Sequence, residues 1–327
     1  MKSEVLLLLS LFLNINLKPG ENFTHSRLMK WRGRVILAST SRVFFLDPEL
    51  RRATPFPFPG TRLMGEKLQG DFLFIPTVQG FLSCMDLKTG RKRWVFRARD
   101  SFFAAPLVLE DSLWIGSAQG FLFKLNLKEG SRGLKLKLKG PVYQEGVVAW
   151  GRMFFKDIRG NLYGLSREGK ILCSLSSGET GGGPMVKWGS SLAVPMGDKL
   201  ILVDRNCRRK GEIRFRESIL PAPVVWKNSL VVASGGKVAR FSKEGRFLWS
   251  FRAGKKIVAE PVPWKDFLLI VDSGGNFYVL NDRGERIYEF RMGEPSYTPP
   301  LVFNGGKILL LSINGKLIVL QGDKIIL

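Results

Sequence analysis

The chain has 327 residues, of which 45% are hydrophobic, so it can bury a large core and does not have the composition of a disordered protein. Its 51 Lys and Arg residues against 28 Asp and Glu give a net charge of +23, which favours anionic partners: an acidic protein, an anionic membrane or nucleic acid. The alternative is a diffuse solubility charge, because no long Lys/Arg run exists. One histidine, His25, and three cysteines without a CxxC pair argue against a zinc site, and His25 is a weak candidate for catalysis.

The N-terminal stretch, MKSEVLLLLSLFLNINLKPG, places one lysine before an apolar run from Val5 to Leu13. This run is too short to span a bilayer as a helix and is typical of a signal peptide. We therefore predict a leader over residues 1–17 and an extracytoplasmic location in the periplasm or cell envelope. No clear Ala-x-Ala cleavage site follows, so the alternative is an apolar N-terminal strand or helix of a cytoplasmic protein.

A short apolar strand recurs about every 39 residues, each time after a glycine or, in the first repeat, after Arg42. The glycines are Gly80, Gly120, Gly160, Gly197, Gly236, Gly275 and Gly315. Such a period indicates an array of one supersecondary unit. Eight units account for residues 18–327, which we predict to form a single domain because each unit buries its faces against its neighbours.

The third repeat shows the unit most clearly. We predict strand A over 105–109, strand B over 112–116, strand C over 121–127 and strand D over 134–139, with turn residues between them. Short, evenly spaced strands are typical of closed all-β architectures, so we predict an eight-bladed β-propeller of four-stranded antiparallel blades. We expect the N-terminal segment to join the last blade, with a short final strand from Lys324 to Leu327.

Turn residues support this assignment. A small polar residue that can accept backbone hydrogen bonds ends each strand C: Asp47, Asp86, Asn126, Ser166, Asp204, Ser242, Asn281 and Gln321. A glycine suited to the following C–D turn comes a few residues later in six repeats, at Gly90, Gly130, Gly169, Gly211, Gly245 and Gly284.

Other residue types also recur in phase with the repeat. Tryptophans close strand A in five repeats and should pack between adjacent blades: Trp31, Trp150, Trp188, Trp226 and Trp264. Cys84 and Cys173 fall within predicted strands, where we expect them to pack as small hydrophobic residues. The run Gly181-Gly182-Gly183-Pro184 precedes a strand, so we interpret it as a site of close backbone approach rather than of phosphate binding.

The second repeat reads CMDLKTGRKRW over residues 84–94, which is similar to the Ala-x-Asp-x-x-Thr-Gly-x-x-x-Trp motif of PQQ-type β-propeller repeats. Within that superfamily an exported eight-bladed chain resembles the BamB-like subunits of the outer-membrane β-barrel assembly machine. This resemblance implies a non-enzymatic scaffold without cofactor or metal, whose partners are other envelope proteins, extended strands or a barrel-assembly component. BamB-like proteins usually carry an N-terminal lipid-attachment cysteine, and the first cysteine here is Cys84. We expect a monomer without catalytic residues.

Two predicted C–D turns are rich in basic residues. They are Lys88, Arg91, Lys92 and Arg93 in blade two, and Arg205, Arg208, Arg209 and Lys210 in blade five. Such clusters suit an acidic protein segment or an anionic membrane surface. Nucleic-acid binding would require interleaved aromatic residues, and these turns offer mainly Trp94, so we do not expect it. Besides the scaffold, two alternatives stay open: a remnant of a PQQ-dependent oxidoreductase and a peripheral binder of anionic membranes or polyanions.

Acidic residues occur at equivalent places in the D–A connections of four blades: Asp100, Glu179, Glu217 and Glu294. If these connections share one face, the four residues form an acidic rim that could hold a cation or contact a basic segment. Solvated loop charge is the alternative. Glu145 and Glu260 each start a strand A, three blades apart, which is too far for an acid/base pair unless the central channel is narrow.

Overall fold

The computed structural model describes residues 5–24, 26–56 and 65–325, and the side chains of 11–24, 26–56 and 65–321. His25 and Leu327 lie outside these ranges. The chain forms two compact units, of which unit 1 comprises residues 1–58 and 224–327 and unit 2 comprises residues 59–223. Within the described ranges, thirty-two strands form eight four-stranded sheets, and the one helical element is a short 3-10 turn, Asn304–Gly306. Among these residues, no helix has the length and hydrophobicity that a membrane span requires.

Unit 2 contains blades two to five, each with its four strands in chain order. Blade two comprises β6 Lys67–Gln69, β7 Phe72–Pro76, β8 Phe81–Asp86 and β9 Arg91–Arg97. Blade three comprises β10 Leu107–Leu109, β11 Ser112–Gly116, β12 Phe121–Asn126 and β13 Arg132–Lys137. Blade four comprises β14 Val147–Ala149, β15 Arg152–Lys156, β16 Asn161–Leu165 and β17 Ile171–Ser176. Blade five comprises β18 Val186–Trp188, β19 Ser191–Met196, β20 Lys199–Val203 and β21 Arg209–Arg214.

Unit 1 contains the other four blades. Blade one comprises β2 Met29–Trp31, β3 Arg34–Ala38, β4 Val43–Leu46 and β5 Ala53–Phe56. Blade six comprises β22 Val224–Trp226, β23 Ser229–Ser234, β24 Lys237–Phe241 and β25 Phe247–Arg252. Blade seven comprises β26 Val262–Trp264, β27 Phe267–Val271, β28 Asn276–Leu280 and β29 Arg286–Arg291. Blade eight comprises β30 Leu301–Val302, β31 Lys307–Leu311, β32 Lys316–Ile325 and, on its outer edge, β1 Val5–Asn14.

Seven blades are antiparallel meanders and blade eight adds β1 antiparallel to β32, so the prediction of eight four-stranded antiparallel sheets is confirmed. Strands B and C lie in the middle and are buried almost throughout, as in β15 and β16, whereas strand D alternates between exposed and half-buried residues. This difference follows from position, because a central strand is covered on both faces while an edge strand is only partly covered. The core consists of clusters between consecutive blades, such as Phe74 and Leu82 of blade two with Leu113 and Phe123 of blade three.

The predicted turn starters accept backbone hydrogen bonds in seven repeats. Asp86 Oδ1 accepts from Lys88 N, two residues on, at 2.9 Å, and the equivalent bond forms at Asn126, Asp204, Ser242 and Asn281. Asp47 and Ser166 instead accept from the N–H group four residues on. The prediction for Gln321 is wrong, because this residue lies within the ten-residue strand β32 and donates to Gly305 O. The separate final strand predicted from Lys324 is also wrong, because the chain continues as a single strand from Lys316 to Ile325.

The C–D turn of blade five differs from the prediction. Gly211 lies within β21, and the residue that takes the glycine position of the turn is Cys207, whose N donates to Asp204 O. Cys207 has a φ of +60°, which a side chain makes unfavourable, and Leu50 occupies the same place in blade one with a φ of +64°. Turn geometry alone would favour glycine at position 207, so another contact must account for the cysteine.

The N-terminal segment joins the last blade, as predicted. Strand β1 runs antiparallel to β32 and pairs Leu13 with Leu317 and Asn14 with Lys316. Leu11 and Leu13 pack against the buried cluster of blades eight and one. The predicted leader over residues 1–17 thus contains the outer strand of blade eight, and cleavage after residue 17 would remove that strand.

Candidate protein-interaction surface

The basic cluster of blade two is partly engaged within its own blade. Lys88 forms an ion pair with Asp71 at 2.9 Å, and the guanidinium of Arg93 lies over the ring of Phe72 at 4.9 Å. Arg91 and Lys92 begin the outer strand β9 and are exposed. Intramolecular contacts therefore already restrain two of the four predicted residues.

The basic cluster of blade five is more open. Arg205, Arg208, Arg209 and Lys210 are all exposed. Arg209 forms an ion pair with Glu212, and Asp204 Oδ1 accepts from the backbone N–H groups of Asn206 and Arg208. The backbone bond from Arg208 is the main reason that the pKa of Asp204 lies below its ordinary value. These acidic groups serve the turn itself, which leaves most of the positive charge facing solvent.

A disulfide links this turn to the preceding blade. Cys173 of β17 is bonded to Cys207, with the two Cα atoms 5.8 Å apart. Cys173 does pack against the core of blades four and five, but it does so as one half of a disulfide, which the prediction did not include. The prediction for Cys84 is confirmed, since this thiol is free and buried in the core of blade two. The bond joins cysteines 34 positions apart in neighbouring blades, and no short motif such as CxxC marks them as partners.

The repeat explains why these two cysteines meet. Trp94 of β9 donates from Nε1 to Leu127 O of the next blade at 3.2 Å. Its ring packs directly on Gly130, so that a Cβ added to this glycine would lie only 2.5 Å from the ring. Trp249 of β25 makes the same contacts with Asp282 O, at 2.9 Å, and with Gly284, at 2.4 Å. A strand D residue thus docks on the C–D turn of the following blade at both junctions.

Cys173 and Cys207 occupy these same two positions. Cys173 pairs with Gly164 of strand C as Trp94 pairs with Cys84, and its Sγ lies 3.8 Å from Arg205 O, the carbonyl equivalent to Leu127 O. Cys207 takes the place of the turn glycine. The disulfide is therefore a covalent substitute for a tryptophan–glycine contact between blades. A bond that closes a loop of this length stabilises a chain by about 3–4 kcal/mol.

Among the five tryptophans that close strand A, Trp150 and Trp226 make well-defined contacts with the next blade. Trp226 Nε1 donates to Lys265 O of blade seven at 3.2 Å, and Lys187 Nζ of blade five lies 4.5 Å from the ring centre of Trp150. Packing between adjacent blades is thus confirmed for Trp150 and Trp226.

Three of the predicted acidic rim residues contact the B–C turn of the next blade. Asp100 accepts from Gln119 N at 3.2 Å, Glu179 forms an ion pair with Lys199, and Glu294 accepts from Ser312 Oγ at 2.7 Å. The hydrogen bond from Lys199 is the main reason that the pKa of Glu179 lies below its ordinary value. Glu217 has contacts of its own. In the described part of the chain, no three His, Cys, Asp or Glu side chains come together as metal ligands.

Glu21 belongs to the same series, and sequence inspection missed it. It lies between β1 and β2 and accepts hydrogen bonds from Ser39, Ser41 and Arg42 in the B–C turn of blade one. Burial alone would raise the pKa of Glu21, but these bonds together lower it to about 2. Arg42 thus replaces the repeat glycine because it pairs with Glu21. The sequence pattern that could have revealed this pair is an acidic residue about 20 positions before a basic residue at the B–C turn, as for Glu179 and Lys199.

The two acids at the start of strand A also form ion pairs. Glu145 contacts Lys67 Nζ at 2.5 Å within unit 2, and Glu260 contacts Arg27 at 3.8 Å within unit 1. Each pair joins blades that are two places apart in their unit. Each of the two glutamates therefore has a cationic partner within its own unit.

The glycine run over 181–183 permits a close approach, as predicted. A Cβ on Gly183 would lie 2.3 Å from Leu220 O, and one on Gly182 would lie 2.5 Å from Pro195 O. The buried Lys156 donates from Nζ to Gly182 O at 3.0 Å, Gly181 O at 3.2 Å and Pro195 O. Burial lowers the pKa of Lys156 to about 7. Sequence inspection did not single out this lysine, because nothing in its neighbourhood marks it as buried.

Comparisons with known proteins agree on the fold. No family model matches the chain, and no curated protein matches it. The crystal structure of BamB from Moraxella catarrhalis superposes with a TM-score of 0.77 at 18% identity, covering 97% of this chain and 100% of that one. The fold is an eight-bladed β-propeller. The prediction of an eight-bladed propeller of four-stranded blades is thereby confirmed.

Two further structures show how general this likeness is. The computationally designed protein Ika8 gives a TM-score of 0.81 at 12% identity, covering 92% of this chain and 97% of that one. A europium-containing methanol dehydrogenase gives 0.76 at 10% identity, covering 94% and 85%. A designed protein, an enzyme and BamB share one fold, so the fold does not decide whether this chain is an enzyme.

Proposed function

We propose that this chain is an exported scaffold protein that binds other envelope proteins and acts in outer-membrane or envelope protein assembly, in the manner of BamB-like propellers. The observation that carries the proposal is the likeness to BamB over 97% of this chain and all of the other. The Cys173–Cys207 disulfide supports the extracytoplasmic location, because structural disulfides persist mainly in oxidising compartments. The exposed basic turn beside that disulfide supports a surface that recognises partners.

An in-cell experiment tests this function. The full chain, tagged at its C-terminus, is cross-linked in its native host and recovered from separated envelope and cytoplasmic fractions. We expect the chain in the envelope, its Cys173–Cys207 bond oxidised, with a barrel-assembly component enriched over a tagged exported control protein. A cytoplasmic chain with reduced cysteines, or an envelope chain that enriches no assembly component, would overturn the proposal.

The likeness to methanol dehydrogenase favours one rival, a PQQ-dependent oxidoreductase. Titration of the purified chain with PQQ, with calcium or a lanthanide present, separates the two functions. Saturable quinone binding with dye-linked alcohol oxidation would support the enzyme, and unchanged quinone absorbance at micromolar protein would remove it.

A further inference from the structure

We infer that the outer strand β17 and the basic turn of blade five together form a docking surface for an extended, acidic segment of a partner protein. This inference rests on the proposed scaffold function and locates its binding site. The partner segment would add to β17 as a fifth antiparallel or parallel strand and place carboxylates against the arginines of the turn.

The first observation is the composition of the edge. In unit 2 the outer strands β9, β13 and β21 each carry at least three charged residues, whereas β17, with the sequence ILCSLS, carries none. Charged side chains on an outer strand discourage pairing with other molecules, so their absence leaves β17 open to it. Ile171 is 41% exposed and Leu172 is 43% exposed on this strand.

The second observation is the charge beside the edge. Within the described residues, the side chains of Arg205, Arg208 and Lys210 form no direct ion pair, since Asp204, which Arg208 and Lys210 attract only through space, bonds the turn backbone and Glu212 pairs with Arg209. The guanidinium of Arg152 lies next to them and donates to Arg205 O at 2.8 Å. An acidic segment would neutralise this group, and a basic one would be repelled.

The third observation is the covalent link between the two parts. Cys173 is the third residue of β17 and Cys207 lies in the middle of the basic turn, so the disulfide fixes the turn beside the edge. A prepositioned surface loses less conformational entropy when a partner binds. Blade two offers a contrast, since its basic residues Arg91 and Lys92 lie on a strand that is itself charged.

Peptide binding to the full, oxidised chain tests the inference. The probes are fluorescein-labelled decapeptides: alternating Val and Glu, alternating Val and Lys, and the Val/Glu peptide with two central Val replaced by Pro. Fluorescence anisotropy at 150 mM salt should show binding of the Val/Glu peptide, with at least tenfold weaker binding of the other two. Equal binding of the proline peptide would overturn strand addition, because proline cannot supply the ladder N–H.

Variants locate the site. Leu172→Lys and the double variant Arg205→Glu/Arg208→Glu should each weaken Val/Glu binding at least tenfold. The matched controls in blade two are Val95→Lys, at another exposed apolar position on an outer strand, and Arg91→Glu/Lys92→Glu; both should change affinity less than threefold. All four variants change exposed side chains, so each should fold, and circular dichroism is the check on folding. If the blade-two controls lose as much affinity, net charge alone explains the binding and the inference fails.

Two other occupants are outcomes of the same series. Concentration-dependent dimerisation that Leu172→Lys abolishes, measured by analytical ultracentrifugation, would assign the edge to a second copy of this chain. Binding to vesicles of anionic phospholipid that Arg205→Glu/Arg208→Glu abolishes, without peptide binding, would assign the turn to a membrane. Either result overturns the partner segment. Recovery of an assembly component in cells, together with failure of the peptide series, would retain the scaffold function and move its site elsewhere.

Discussion

At the scale of single residues, the departures from the repeat carry most of the information. Arg42 stands where seven other repeats have glycine, and it does so to pair with Glu21, whose side chain is only 1% exposed. Lys156 is the buried last residue of β15, and its ammonium donates to three backbone carbonyls. Both residues have shifted pKa values, so both make stability depend on pH.

Glu21 should make the chain sensitive to acid. Its pKa is about 2 in the folded chain against an ordinary 4.5, so it adds stability above pH 4.5 that is lost as the pH falls towards 2. We expect about 3 kcal/mol to disappear over this range. Urea unfolding of Glu21→Gln at pH 6 should show that loss already, whereas Glu49→Gln, at an exposed turn position, should match the parent chain. An acid transition of Glu21→Gln as steep as that of the parent would refute this role.

Lys156 should also make stability rise with pH, but over a neutral to alkaline range. Because its pKa falls from 10.5 in the unfolded chain to about 7 in the folded one, the folded chain binds fewer protons between these values. The free energy of unfolding should therefore rise with pH across this window, by up to about 1.4 kcal/mol per pH unit from this group. Unfolding of Lys156→Met should lack that rise, and Lys128→Met, at an exposed turn, should retain it. A parent chain with flat stability from pH 7 to 10 would contradict the assignment.

At the scale of elements, the junction between blades four and five uses a disulfide where two other junctions use tryptophan on glycine. We expect Cys173→Ser/Cys207→Ser to lose about 3 kcal/mol of unfolding free energy. Cys173→Trp/Cys207→Gly should recover a measurable part of this loss, because the ring can dock on the turn and its Nε1 can reach Arg205 O. Reductant should weaken the parent chain but not this variant. Urea midpoints that place the Trp/Gly variant at or below the Ser/Ser variant would show that the two contacts are not equivalent.

Sequence inspection predicted the elements better than their connections. The two middle strands of blade three and five of the eight polar turn starters follow from local rules, since alternation and turn chemistry act between near neighbours. The outer strands of this blade were predicted as 105–109 and 134–139 and are Leu107–Leu109 and Arg132–Lys137. The disulfide and the Glu21 contacts join positions that only the packed repeats bring together. Aligning the repeats would have placed Cys173 on the tryptophan position and Cys207 on the glycine position. The choice of Gly211 as the turn residue hid this match.

At the scale of the whole molecule, the last blade is built from both ends of the chain, with β1 as its outer strand. Such an arrangement ties the first and last strands into one sheet. The apolar residues of β1 suit two roles, a signal sequence or a strand that packs against the core. The described side chains of β1 alternate, with Leu11 and Leu13 half-buried and Phe12 and Asn14 exposed, which suits an outer strand.

Two substitutions in β1 measure its contribution. Leu13 packs against a buried cluster, while Phe12, its neighbour, is 51% exposed. In the purified chain of residues 1–327, Leu13→Ala should lower the unfolding free energy by about 1–2 kcal/mol, and Phe12→Ala should have little effect. Equal urea midpoints for the two variants would mean that the segment does not pack as a strand. Intact mass of the exported protein would then show whether the segment is kept.

The odd cysteine has a practical consequence. Cys84 is 1% exposed in blade two, and burial raises the pKa of its thiol to about 12, so the reactive thiolate is scarce and shielded. It therefore cannot readily exchange with the Cys173–Cys207 bond while blade two stays closed. Because Cys84 can react only when it becomes exposed, the rate at which an alkylating reagent modifies it reports how often blade two opens.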